Sequence, residues 1–198
     1  MKRQDLTRFF RELSQRWTHP TTVRLIGGGG AFVLGGVRPT LDVDFEVHFK
    51  TPAASWEAFS AAVAEVSSLT GIGAQYSESI ERWSQLTLLD YRKHTRLVRQ
   101  FGAIEVRVLD PLYWSIGKMG RYYDQDVQDM IAVFQRQKPD PVALARLWHQ
   151  SLQQSPKSTQ LGLARRQALH FFQTHGRHIW GPSFRIAAIE KVFSPTIV

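Results

Sequence analysis

The 198-residue chain contains no cysteine, so neither disulfide bonds nor thiolate metal sites can form. It also lacks a long apolar run, and nothing in it approaches the roughly 20 residues of a membrane span. Its first residues, MKRQDLTRFFRELSQRW, are basic and amphipathic and lack the continuous apolar core of a signal peptide. These absences predict a protein of the reducing cytoplasm with no membrane partner.

Acidic residues are scarce as well. The chain has 17 Asp and Glu against 25 Lys and Arg, which gives a net charge of +8. Residues 138–198 hold eight Lys and Arg against two Asp and Glu, so most of the surplus lies in the last third. A basic surface raises the local concentration of polyanions and favours nucleic acid as a partner. Solubility alone is the other explanation of such a charge.

The spacing of apolar residues predicts an α+β fold. Helices are predicted over 5–17 and 54–69 and from residue 111 onwards, with strands over 23–26, 41–49, 75–77, 83–89, 96–100 and 103–109. We divide the chain into two domains. Residues 1–137 are predicted to form a small mixed sheet flanked by helices, and residues 138–198 a basic helical C-terminal extension.

The most informative segment is LIGGGGAFVLGGVRPTLDVDF, residues 25–45. Asp42 and Asp44 are two apart in a predicted strand, so their side chains project from the same face. Two carboxylates this close repel each other unless a cation lies between them, and Mg²⁺ takes such oxygen ligands. The preceding glycines, followed by a helix predicted from Gly30, allow a phosphate to approach backbone N–H groups. Phosphate binding beside a metal pair predicts nucleotide chemistry, and Glu46, next in the alternation, is expected to be solvated.

The order Gly-Gly, short helix, Arg38-x-Thr40-x-Asp42-x-Asp44 resembles the nucleotidyltransferase superfamily of the polymerase-beta type. It is most similar to the branch of AbiEii-type and MenT-type toxins and related small bacterial proteins of unknown function. Residues 104–109 resemble the strand that carries a third carboxylate, and residues 110–118 the segment that leads to a functional lysine. Asp126-x-x-Asp129-Met130 resembles the closing motif. The resemblance spans roughly residues 5–135 and implies the nucleotidyltransferase fold.

The resemblance implies an enzyme that moves a nucleoside monophosphate from an NTP to a hydroxyl group. Asp42, Asp44 and Glu105 would hold Mg²⁺, and Glu105 or Asp126 would accept the proton of the hydroxyl. A salt bridge to Arg107 or Arg96 is the other interpretation of Glu105. The residues expected to bind the nucleotide are Gly28, Gly29, Arg38, Thr40, Lys118, Arg121 and Asp129. For Asp126 and Asp129, a structural bridge to Lys118 or Arg121 is the competing interpretation.

The basic C-terminal third favours RNA as the acceptor, and the resemblance implies the 3′ end of tRNA. The chain would then be the toxin of a toxin–antitoxin pair, with a cognate antitoxin as a further partner. Two alternatives are a transferase that modifies a protein or a small molecule, and a catalytically silent scaffold that binds nucleotide or a partner protein.

Overall fold

The structure is a computed structural model that describes residues 3–40 and 42–194. These residues form one mixed sheet and eight α-helices, which confirms the predicted α+β class and the helical C-terminal region. The strands are β1 (Thr21–Leu25), β2 (Asp42–Phe49), β3 (Gly73–Ser77), β4 (Thr95–Phe101) and β5 (Ile104–Leu109). The helices are α1 (Arg3–Arg16), α2 (Gly27–Leu34), α3 (Trp56–Thr70), α4 (Pro111–Arg121), α5 (Asp124–Gln137), α6 (Pro141–Gln154), α7 (Thr159–Trp180) and α8 (Ile186–Phe193).

The five strands follow the order β3-β2-β1-β5-β4 across the sheet. The central strand β1 runs antiparallel to β2 and parallel to β5, and the outer strands β3 and β4 run parallel to β2 and antiparallel to β5 respectively. The sheet is therefore mixed, as predicted. Its register determines which side chains of neighbouring strands share a face.

The two faces of the sheet differ sharply in chemistry. One face is apolar and is covered by α1 and α3: the ring of Phe45 on β2 lies 5.9 Å from that of Phe10 and 6.5 Å from that of Phe59. Because side chains alternate along a strand, Asp42, Asp44 and Glu46 of β2 project from the opposite face. Burial of the apolar face fixes the strand register and so the position of these carboxylates.

The prediction of a strand over residues 83–89 is wrong. The chain instead forms two short 3₁₀ helices, Ile80–Trp83 and Tyr91–Lys93, joined by turns. Ser84 closes one turn, because its hydroxyl oxygen accepts from the backbone N–H of Leu86, at 3.2 Å, and lies 2.6 Å from the carbonyl oxygen of Leu86. Leu86 and Leu88 are buried, so the alternating apolar pattern reports burial here and not a strand.

The chain separates into two compact units that differ from the predicted domains. The first holds the sheet, α1, α3 and most of α2, and the second holds α4 to α8 with residues 34–36 and 81–91. Helices α4 and α5, which we assigned to the first domain, pack with the later helices. Trp148 of α6 donates from Nε1 to Ser115 Oγ of α4 at 2.9 Å, and its ring centroid lies 6.5 Å from that of Phe134 of α5.

None of the helices in the described part of the chain combines the length and apolar character needed to cross a membrane.

Candidate functional site

The glycine run and the Asp-x-Asp strand meet in the first unit. The backbone N–H of Ile26 donates to the carbonyl oxygen of Asp44, and the N–H of Gly28 donates to its carboxylate oxygen Oδ2, both at 3.0 Å. Helix α2 begins at Gly27, so the prediction that the helix starts only at Gly30 is wrong. Glycine is a poor helix former, and here the Asp44 carboxylate stabilises the first turn from a neighbouring strand.

The position of Gly27 requires a residue without a side chain. Its φ of +50° lies in the left-handed region that side chains disfavour. A Cβ added there would also overlap Oδ2 of Asp44. The residue therefore allows the backbone to turn directly against the Asp44 carboxylate. The sequence did not single out Gly27, because four consecutive glycines leave the register of the turn open.

Two further predicted residues lie at the same turn. A Cβ added at Gly28 would be 2.9 Å from Thr40 Oγ1 and 3.9 Å from Arg38 Nη2, so both side chains face the start of α2. Thr40 Oγ1 lies 3.1 Å from Asp42 Oδ1 and 2.9 Å from the Asp42 carbonyl oxygen. Gln75 of β3 donates to Asp42 Oδ2 at 2.9 Å, a contact that the sequence did not indicate.

This donor set fits a hard divalent cation. Asp42 and Asp44 are half-buried and on one face of β2, and carboxylate oxygens are the ligands that Mg²⁺ prefers. Hydrogen bonds from Thr40, Gln75 and the Gly28 backbone orient the two carboxylates, as supporting groups do around metal ligands. In residues 3–40 and 42–194 no cluster of three or more His, Cys, Asp or Glu side chains is arranged to hold a metal, so any ion would have two protein carboxylates here.

Glu105 is not brought to this pair. The register places it opposite Thr22 of β1, which lies opposite His48 of β2. His48 is four residues beyond Asp44, about 13 Å along a strand. Glu105 accepts instead from Lys50 Nζ at 2.6 Å and from Arg107. These hydrogen bonds, that from Lys50 foremost, hold the pKa of Glu105 below its usual range. The geometry therefore agrees with the salt-bridge interpretation and not with a third metal ligand.

Glu46 is not solvated, contrary to expectation. Its side chain is fully buried, and Oε1 accepts from Arg24 Nη1 at 3.0 Å and from Arg92 Nε at 2.9 Å. The backbone N–H of Ile80 donates to Oε2 at 3.3 Å. A buried carboxylate needs such partners. Residue spacing alone gave no signal for this cluster, because Arg92 is 46 residues away in the sequence, in the 3₁₀ helix Tyr91–Lys93.

The second unit contains the other predicted residues, and it brings four of them together. Lys118 Nζ lies 2.8 Å from Asp126 Oδ1 and 2.8 Å from Asp129 Oδ2, with all three residues buried. Arg121 binds both oxygens of Asp126, at 2.9 and 3.2 Å. Burial raises the pKa of Asp126, but the hydrogen bonds from Arg121 and Lys118 outweigh it, so the pKa lies below its usual range.

The turn between α4 and α5 makes this cluster possible. Tyr122 has a φ of +55°, which is unusual for a residue other than glycine, and it reverses the chain so that Arg121 and Asp126 meet. Its hydroxyl lies 3.1 Å from His170 Nδ1, and burial raises the pKa of Tyr122 to about 12. The cluster agrees with the bridge that we named as the competing interpretation.

Comparison with known proteins adds no identification. No family model, no curated protein and no solved structure matches the chain.

Proposed function

We propose that the chain is a Mg²⁺-dependent nucleotidyltransferase that moves a nucleoside monophosphate from an NTP to a hydroxyl group. The observation that carries this proposal is the 3.0 Å hydrogen bond between the Gly28 backbone and the Asp44 carboxylate. It joins a glycine-rich helix start, which suits phosphate, to a pair of carboxylates, which suits a metal. This hydrogen bond joins residues that are 16 positions apart in the sequence.

The residues of the first unit have distinct tasks in this proposal. Asp42 and Asp44 would hold the ion, which when bound neutralises charge that develops on the reacting phosphates. Thr40 and Gln75 orient Asp42, and the Gly28 N–H orients Asp44. Arg38, beside Gly28, supplies a guanidinium that can bind phosphate oxygens in pairs. Gly29 packs on the backbone of β2 and keeps the start of α2 close to the carboxylates.

Proton transfer is the part of the mechanism to which the predicted residues fit least well. Glu105 and Asp126 both have pKa values below the usual range and are engaged in ion pairs. A general base works best with a pKa near the operating pH, so both would be weak bases. The proposal therefore assigns catalysis to positioning and to charge stabilisation, which carry most of phosphoryl transfer in general.

The acceptor that we propose is RNA, and the supporting observation is one of charge. Residues 141–189 contain no Asp or Glu. Their six Lys and Arg side chains are all exposed: Arg146, Lys157, Arg165, Arg166, Arg177 and Arg185. Such a surface favours a polyanion. The tRNA 3′ end as the target, the role as a toxin and a cognate antitoxin rest on the resemblance alone.

The test is to incubate the protein with Mg²⁺, total RNA and each of the four labelled NTPs in turn. The inactive variant is Asp42→Asn/Asp44→Asn, because asparagine keeps an acceptor for the Gly28 N–H and removes the two charges. The matched control is Glu57→Gln/Glu81→Gln, which removes two exposed carboxylates elsewhere. We expect the wild type and the control to label RNA, and the Asn variant to lose at least about a hundredfold in rate.

The other outcomes separate the alternatives. Label on protein instead of RNA would redirect the proposal to side-chain modification. Equal labelling by the wild type and the Asn variant would remove Asp42 and Asp44 from the mechanism. No label on RNA or protein, together with nucleotide binding that persists in the wild type, would point to a small-molecule acceptor or to a silent scaffold.

A further inference from the structure

Arg24 of β1 is buried on the face of the sheet that carries Asp42 and Asp44. It is 9% exposed and lies opposite Glu46 of β2 in the register, and residues directly opposite share a face. The next residue along the chain on this face is Ile26, directly after β1, whose N–H donates to the carbonyl oxygen of Asp44. Arg24 is therefore one side-chain position, about 7 Å along the strands, from the carboxylate pair.

The guanidinium of Arg24 is only partly used. Its Nη1 donates to Glu46. Among the side chains that the structure describes, its Nε is the one buried nitrogen or oxygen without a hydrogen-bond partner. Buried polar groups almost always have a hydrogen-bond partner, and an exception in a folded protein indicates a partner that is not part of the chain. The missing partner must be an acceptor, since Nε–H only donates.

The local charge also favours an anion. Glu46 is shared between Arg24, whose side chain is 11% exposed, and Arg92, whose side chain is 48% exposed. Arg24 is therefore largely desolvated, and a desolvated cation attracts an anionic oxygen more strongly than an exposed cation does. Arginine is suited to phosphate because its planar fork binds phosphate oxygens directionally.

Arg107 provides an internal comparison. It lies opposite Arg24 on the neighbouring strand β5, and all three of its nitrogens have acceptors. Its Nε donates to Thr95 Oγ1 at 2.6 Å, its Nη2 to the Thr95 carbonyl at 3.1 Å, and its Nη1 to Glu105. Arg24 and Arg107 thus lie opposite each other on the same face of the sheet, but only Arg24 keeps an Nε–H donor for a ligand.

We infer that Arg24 is an additional ligand of the triphosphate of the NTP and donates its Nε–H to a phosphate oxygen. This inference rests on the proposed nucleotidyltransferase function, which supplies the triphosphate. It assigns to Arg24, a buried residue of β1, a binding role that neither the glycine run nor the Asp-x-Asp pattern indicates. Glu46 then acts as a positioning residue that holds the guanidinium in place.

The test measures the binding of inorganic tripolyphosphate with Mg²⁺ by calorimetry, so that neither base nor acceptor matters. We expect Arg24→Met to weaken binding at least about tenfold, because hydrogen bonds to charged groups are worth more than one decade in affinity. Arg107→Met removes the same charge from the same row and should change the affinity less than about threefold. Glu46 keeps Arg92 and the Ile80 N–H in the Arg24→Met protein, which should allow it to fold.

Should Arg24→Met fail to fold, Arg24→Lys replaces it, since lysine keeps the charge and lacks the Nε–H. A loss of about fivefold or more for that variant supports the inference. Equal effects of the substitutions at positions 24 and 107, with normal binding by the wild type, would overturn it and leave the proposed function in place. A wild type that binds neither tripolyphosphate nor any NTP would overturn both.

Discussion

Gly27 and Gly71 are both required by the backbone conformation, but only Gly27 also lies at the candidate site. Both have positive φ angles, +50° and +71°. A side chain at either position would strain the backbone. Only Gly27 also lies against a functional group, because an added Cβ would overlap the Asp44 carboxylate, whereas nothing lies within 4 Å of one added at Gly71.

We therefore predict different results for Gly27→Ala and Gly71→Ala. Both should lose about 1 kcal/mol of unfolding free energy through backbone strain. Gly27→Ala should lose about 1–3 kcal/mol more through overlap and displacement of Asp44, and should also lose Mg²⁺-dependent NTP binding. Urea unfolding and calorimetry measure the two effects. Equal stability losses with intact NTP binding in both variants would show that Gly27 does not hold the backbone against Asp44.

Glu105 allows a prediction about pH. Its pKa in the folded protein is below the ordinary value of 4.5, because Lys50 and Arg107 bind the charged form. Its contribution to stability is therefore fully present above pH 4.5 and is lost as the pH falls through the lowered pKa. Glu105→Gln should be less stable than the wild type at pH 7, by less than about 1 kcal/mol for a pair near the surface, and the difference should shrink in acid. Urea unfolding at several pH values measures this, with Glu57→Gln as the control.

The same variant tests the position of Glu105 in the mechanism. Because Glu105 lies about 13 Å along the strands from the level of Asp44, we expect Glu105→Gln to keep the transfer rate within about threefold of the wild type. A loss as large as that of Asp42→Asn/Asp44→Asn would instead restore Glu105 to the site.

At the scale of elements, the sequence predicted local structure better than long-range pairing. The Asp-x-Asp strand and the helices α1 and α3 follow from spacing, since each buries one face against the sheet. Residues 83–89 alternate in the same way, yet their buried leucines belong to turns. The contacts of Gln75 and Arg92 could not be predicted, because strand order and loop paths depend on the whole fold. The four predicted residues Lys118, Arg121, Asp126 and Asp129 do meet, because the turn at Tyr122 folds α5 back beside α4.

The ion cluster of α4 and α5 leads to a prediction about that pair of helices. Lys118→Met would remove the Nζ group that lies 2.8 Å from each of the buried carboxylates of Asp126 and Asp129, so we expect a loss of about 3–5 kcal/mol in unfolding free energy. Adding Asp129→Asn should recover part of the loss, because Asp126 keeps Arg121. Arg121→Met should cost less, since its side chain is 38% exposed. Chemical denaturation measures all three. Unchanged stability of Lys118→Met, with loss of NTP binding, would mean that the lysine serves the nucleotide and not the fold.

At the scale of the whole molecule, charge is the property that the sequence predicts most directly. The net charge of +8 is a sum over the chain, and its uneven distribution follows from the order of the residues alone. The fold adds that α7, 22 residues long and without Asp or Glu, presents Arg166 and Arg177 to solvent. The sequence alone does not show whether such cations are exposed or are buried in ion pairs. Lys118, for example, is buried between Asp126 and Asp129.

This distribution predicts where RNA binds. Arg166→Gln/Arg177→Gln should weaken tRNA binding, and the slope of log K against log salt should become less steep by about 1.5, because each phosphate contact contributes about 0.7–0.9. The control Arg11→Gln/Arg99→Gln removes two exposed cations from the first unit. Its net charge is therefore the same as that of the Arg166→Gln/Arg177→Gln variant. If attraction depended on net charge alone, both pairs would lower affinity and slope equally. A larger effect of the α7 pair, measured by filter binding from low to physiological salt, locates the contact on α7.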